Sequence, residues 1–123
     1  MSETAEAFAS RVSAVMRARD REGYKALFDL PCMVWGDAGP DLRADEARLD
    51  EAFDAIETIC DRLGAVDHAA RIENVIAMGD TLMVMRVLTS LTLRDGSVTD
   101  PTRELWILRE RGGVLRIEAL VNT

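Results

Sequence analysis

The chain has 123 residues, 48% of them apolar and 30% charged, with a formal net charge of −7. That length and apolar fraction suit one domain, residues 1–123, able to bury roughly 65–70% of its unfolded surface without disulfides or a structural metal. The negative balance argues against a nucleic-acid or anionic-membrane surface, because such surfaces need basic patches to displace counterions.

Met1–Glu6 is polar and acidic rather than a leader, and no run approaches the ~18–20 apolar residues of a membrane span, so a cytoplasmic location is expected. Cys32 and Cys60 stand 28 residues apart with a single histidine in the chain, a pattern that suggests two buried thiols and neither a disulfide nor a zinc site.

From Ser2 to Arg19 the residues Phe8, Val12, Val15 and Met16 recur at helical spacing, and Ser2 or Thr4 can cap the first turn. After Asp20 a short helix carries Tyr24, Leu27 and Phe28 and stops near Asp29, because Pro31 disfavours helix at the preceding residue. Cys32 to Trp35 reads as a short strand entering a loop marked by Gly36, Gly39 and Pro40. The third helix is capped by Asp45, aligns Leu49, Ala52, Phe53, Ile56, Cys60 and Leu63, and ends at Gly64. Beyond Val66 the period becomes two, with turns at Gly79-Asp80, Asp95-Gly96 and Gly112-Gly113, which predicts about four long antiparallel strands.

This order predicts a segregated α+β fold, three N-terminal helices packed on a mainly antiparallel sheet. Both faces of the later strands hold large apolar residues, whereas a sheet with one wet face alternates more cleanly. Cover on both faces is therefore expected, helices on one and a second copy of the chain on the other, making a homodimer. Met83, Met85, Val87, Leu91 and Leu93 are candidates for that dimer face.

Three segments carry a resemblance: DREGYKALFDLP at 20–31, GDT at 79–81 and RGGVLRI at 111–117. With them the chain resembles the SnoaL-like members of the nuclear transport factor 2-like superfamily, over nearly its whole length. The resemblance implies a curved sheet and a cone-shaped pocket between helices and sheet, without implying one reaction. In the ketosteroid isomerase branch a first-helix tyrosine, an aspartate after the first strand and an acid on the penultimate strand do the chemistry. Here those positions fall near Val12, near Gly36 with Asp37 one place along, and at Glu104. The scytalone-dehydratase-like branch uses two histidines, and this chain has only His68.

By the same resemblance the pocket-facing positions are Glu104 and Trp106, with Arg116, Glu118 and Asn122 on the last strand. Glu104, Glu118 and Asp37 are then the candidate catalytic acids, since a carboxylic acid beside an indole in a dry pocket can act as acid, base or donor. On the alternative phase, Leu115, Ile117, Ala119 and Val121 face inward and the acids meet water or form an ion network with Arg116. Trp35, Phe53, Trp106, Phe28, Met33 and Asn122 are candidate ligand-binding residues, the apolar ones serving equally as core. Asp29 and Asp37 suit turns as well as a rim, and His68 is a possible proton shuttle or a structural residue.

No Gly-x-Gly-x-x-Gly, Walker, His-Glu-x-x-His or Gly-x-Ser-x-Gly motif occurs, so no cofactor and no catalytic metal are expected. The sequence thus points first to a domain binding a small apolar organic ligand. A cofactor-independent isomerase, dehydratase or hydrolase comes second, and a structural or interaction module third.

Overall fold

A computed structural model describes residues 3–123, so Met1 and the candidate cap Ser2 lie outside the described residues. The described elements are α1 (Ala5–Ala18), α2 (Arg21–Lys25), β1 (Phe28–Gly36), β2 (Gly39–Arg43), α3 (Glu46–Leu63), β3 (Ala65–Met78), β4 (Leu82–Leu93), β5 (Thr102–Arg111) and β6 (Val114–Asn122). The strands form one sheet in the order β2-β1-β6-β5-β4-β3, with β1 and β6 parallel and the other neighbours antiparallel. Helices pack on one face of this sheet, the α+β cone expected from the sequence.

The helix ends follow local chemistry. Thr4 accepts from the Ala7 amide at 3.1 Å to start α1, Asp20 from Gly23 at 3.0 Å to start α2, and Asp45 from Arg48 at 3.1 Å to start α3. Gly23 is needed for packing, since a Cβ there would press on Asp20 and lie 2.9 Å from Val15 Cγ2. Gly64 closes α3 with φ 73°, the left-handed conformation that glycine adopts at least cost.

Two boundaries differ from expectation. The second helix ends at Lys25 instead of Asp29, and β1 begins at Phe28, because Phe28 already pairs with Ile117 of β6. The expected loop at Gly39-Pro40 is strand β2, returning along β1 from Trp35↔Pro40 to Cys32↔Arg43. β2 is an edge strand, where proline is tolerated because the missing donor faces no neighbour.

The core lies between helices and sheet. Phe8 of α1 meets Trp106 of β5 edge-on at 5.8 Å, and Tyr24 stacks on Phe28 at 5.0 Å and Phe53 at 5.4 Å. From the strands, Phe28, Cys32, Val34, Met85, Val87, Trp106, Leu108, Leu115 and Ile117 are buried in this layer. Met83, Met85, Val87 and Leu91 thus lie on the helix side rather than the dimer face, Met85 and Val87 fully buried, Met83 packed against the core and Leu91 lining a space under α3.

The opposite face carries an apolar row across the whole sheet. Register places Leu42, Met33, Ala119, Ile107, Val84 and Ile76 side by side on successive strands. Leu42 and Ile76 are more than half exposed.

Candidate functional site

The cone holds a partly open cavity of about 320 Å³ between α1, α2, α3 and the sheet. Its apolar wall comes from Met16, Phe28, Val34, Ile56, Trp106 and Leu120, and its polar groups are Tyr24, Arg43, His68, Thr89, Glu104 and Asn122.

Glu104 is held on both oxygens. The Trp106 Nε1–H donates to one at 2.9 Å and the Thr89 hydroxyl to the other at 2.8 Å. Trp106 sits two residues along the same face of β5, and Thr89 lies one strand away on β4, so strand alternation together with the β4–β5 register brings these three together. Tyr24 is buried, and its hydroxyl accepts from Arg43 Nη1 at 2.9 Å. Burial pushes the Tyr24 phenol above its ordinary value, opposed by Arg43 and assisted by Cys32 and Glu104. Arg43 also covers the Phe28 ring at 5.5 Å. Its Nε is buried and makes no hydrogen bond among the described residues, Asp41 being 3.7 Å away.

His68 stands on β3, with Nδ1 3.0 Å from the hydroxyl of the buried Ser13 on α1. Burial holds its pKa below the ordinary 6.5, with Arg17 acting in the same direction and Asp67 against it, so the ring is neutral at pH 7. Burial also pushes the Cys32 thiol up to about 11, which leaves it an inert core group. No group of three or more His, Cys, Asp or Glu suited to a metal occurs among the described residues.

The residues singled out from the sequence divide between the two sides of the sheet. Glu104, Trp106, Phe28 and Asn122 line the cavity. Phe53 is buried in the adjoining helix layer against Tyr24. Trp35, 41% exposed, and Met33 lie on the outer face, paired with Val121 and Ala119. Asp37 is exposed in the β1–β2 turn, and Asp29 pairs with Arg111 at 3.0 Å.

Glu118 faces away from the cavity and binds Arg109 at 3.2 Å on the outer side. The cause is a bulge: Leu108 pairs with Ile117 but Ile107 with Ala119, so Glu118 is an extra residue in β6. Before the bulge Leu115 and Ile117 point inward and Arg116 outward. After it Leu120 and Asn122 point inward, Ala119 and Val121 outward. Arg116, Glu118 and Asn122 therefore do not share a face, and neither do Leu115, Ile117, Ala119 and Val121.

The sequence pattern places Tyr24 on one side of a short helix without marking it as a site residue, and it marks neither Arg43 nor Thr89. Tyr24 follows directly from the cap at Asp20 and could have been noticed as a buried phenol needing a partner. Arg43 lies on β2, whose Gly39-Pro40 start has the pattern of a loop, and Thr89 gains meaning only from its register beside Glu104.

No protein-family profile matches the chain, and no curated protein matches it. Solved structures do. A domain of unknown function with a cystatin-like fold from Nostoc punctiforme superposes with a TM-score of 0.76 at 17% identity, covering 95% of this chain and 72% of that one. A ketosteroid isomerase-like protein from Erwinia carotovora atroseptica gives 0.68 at 19% identity, covering 95% and 90%. A protein called "Rd1NTF2_04 with long sheet" gives 0.69 at 22% identity, covering 98% and 100%.

The chain has the nuclear transport factor 2-like fold. At these identities the likeness is one of fold alone. No helix among the described residues is long and apolar enough to cross a membrane.

Proposed function

We propose that this nuclear transport factor 2-like domain binds a small, largely apolar organic molecule in its cone. The observation that carries the reading is the cavity itself, about 320 Å³ with an apolar wall and a few convergent polar groups. Ligand sites have that composition and begin near that size. An open cavity also speaks against a cone filled by its own side chains.

The same reading makes the protein a cytoplasmic homodimer joined through the outer sheet face. The row from Leu42 to Ile76 spans all six strands, and a contiguous apolar patch of that extent is the usual mark of an interface. Sedimentation should show a dimer at micromolar concentration. Ile107→Asp, in the middle of the row, should give a folded monomer, and a wild-type monomer would refute this part.

One observation favours catalysis as a second reading. Glu104 and the neutral His68 border one cavity with a tyrosine–arginine pair, a set able to move a proton on a bound carbonyl or hydroxyl compound without a cofactor. The neighbour's name, ketosteroid isomerase-like, fits this class of reaction.

The chain has two tryptophans, so Trp35→Phe leaves Trp106 in the cavity wall as the sole indole. Titrating that variant with a library of small organic molecules should change its emission saturably for some of them. Absence of any saturable change would sink the binding reading. Turnover abolished by Glu104→Gln with binding retained would promote the catalytic one.

A further inference from the structure

A second cavity adjoins the first. It holds about 300 Å³ beneath the C-terminal half of α3 and the β4–β5 connection, and shares Met16, Ile56, His68 and Thr89 with the wall of the cone. Its outer rim is apolar: Ile59 is 53% and Leu63 45% exposed, although both project from a helix otherwise rich in acids. Each space alone stands at the small end of the range for ligand sites, and the two together fall well within it.

The two spaces differ in the kind of polar group they hold, a buried phenol and a guanidinium lining the first alone. In the cone the Tyr24 oxygen already accepts from Arg43, so its own proton has no acceptor among the described residues, and the buried Arg43 Nε–H likewise has none. Glu104, whose charge is felt at Tyr24, supplies an acceptor in the same space. A hydroxyl is the smallest group that serves both sides, accepting from Tyr24 or Arg43 and donating to Glu104. Arg43 already faces Asp41 at 3.7 Å and Glu104 stands in the same space, so a neutral head group fits better than an anion. The second space has Ser90, Thr99, Asp100 and Thr102 along one side, and Leu91, Cys60, Ile56 and the Ile59–Leu63 rim along the other, the side that suits hydrocarbon.

We propose that the two cavities are one site for a neutral amphiphile, its hydroxyl held by Tyr24, Arg43 and Glu104 and its aliphatic tail passing the Met16–His68 wall to the groove under α3. This rests on the binding reading above and specifies its ligand.

The test is a titration of Trp35→Phe with straight-chain primary alcohols from butanol to decanol, with the matching alkanoates as anionic controls. Affinity should rise about fourfold for each methylene buried and level off when the groove is full. Tyr24→Phe should lower affinity by roughly three- to tenfold along the whole series, the loss of one neutral hydrogen bond. Ile59→Glu combined with Leu63→Glu changes exposed positions only, so the fold is retained. It should abolish the gain from long tails while leaving the shortest alcohols bound as before. Alcohols that bind with no dependence on chain length, or with the same dependence after the rim is charged, would overturn the two-cavity site and leave the binding domain standing. Alkanoates that bind as tightly as alcohols would overturn the hydroxyl assignment. Should no alcohol bind while the wider library does, the amphiphile is refuted alone; should nothing bind at all, both readings fall.

Discussion

Replacing Glu104 by leucine or by glutamine separates a placed polar network from a carboxylate that merely borders the core. In leucine, the Trp106 Nε1–H loses its acceptor at 2.9 Å, and the Thr89 hydroxyl loses the one at 2.8 Å and keeps only the Thr102 carbonyl at 3.5 Å. Each unsatisfied donor costs about 1–3 kcal/mol. Glu104 is half-buried beside an open cavity, so the lower part of that range applies, and the added apolar side chain offsets some of it. The net loss is then about 2 kcal/mol. In glutamine, the amide oxygen still accepts from Trp106, whose nitrogen can only donate, and the amide NH₂ can donate to the Thr89 hydroxyl, which can also accept. Only the charge assistance is lost, about 0.5–1 kcal/mol. Urea unfolding at pH 7 should therefore rank wild type above Glu104→Gln and that above Glu104→Leu, the last two differing by about 1 kcal/mol, or roughly 3–6 °C in Tm for a chain of this size. A leucine variant as stable as the glutamine variant would show that the two donors do not depend on Glu104.

Two further outcomes concern protons. His68 has a lowered pKa through burial, so folding favours its neutral form. Its contribution is complete above pH ~6.5 and is lost as pH falls toward the depressed folded value. His68→Gln should flatten stability against pH over that acid window, and an unchanged slope would refute the assignment. Glu3 is pushed up by burial, but Arg11 and the Leu115 amide outweigh this and leave its pKa lowered. Its carboxylate bonds Arg11 at 3.0 Å and the Leu115 amide at 3.0 Å, tying the chain start to β6. Glu3→Gln should cost roughly 1–3 kcal/mol at neutral pH. The difference from wild type should shrink as pH falls through the folded pKa, and calorimetry across pH 3 to 7 checks the sign.

Local chemistry in the sequence determined the helices and the long strands. Asp20, Asp45 and Gly64 mark helix ends by bonds made within three or four residues, and the stripe Leu49, Phe53, Cys60 needs only the helical period. The switch to period two past Val66, with turns at Gly79, Gly96 and Gly112, likewise follows from neighbours in the chain. Glu104 and Trp106 share a face of β5 for the same reason, and no bulge interrupts β5 between them.

Tertiary structure decided the rest. β2 has too weak a pattern to be read alone and exists because Arg43, Leu42 and Asp41 find partners on β1. The bulge at Glu118 inverts the phase of β6, so residues of equal parity, Arg116 and Asn122, end on opposite faces. A period-two pattern cannot carry that information, since an inserted residue is visible only in the partner strand. The site depends on both events. Arg43 reaches Tyr24 because β2 folds back, and Asn122 reaches the cone because β6 changes phase. What a side chain is was legible along the chain; which cavity it lines was set by pairing between strands far apart in sequence.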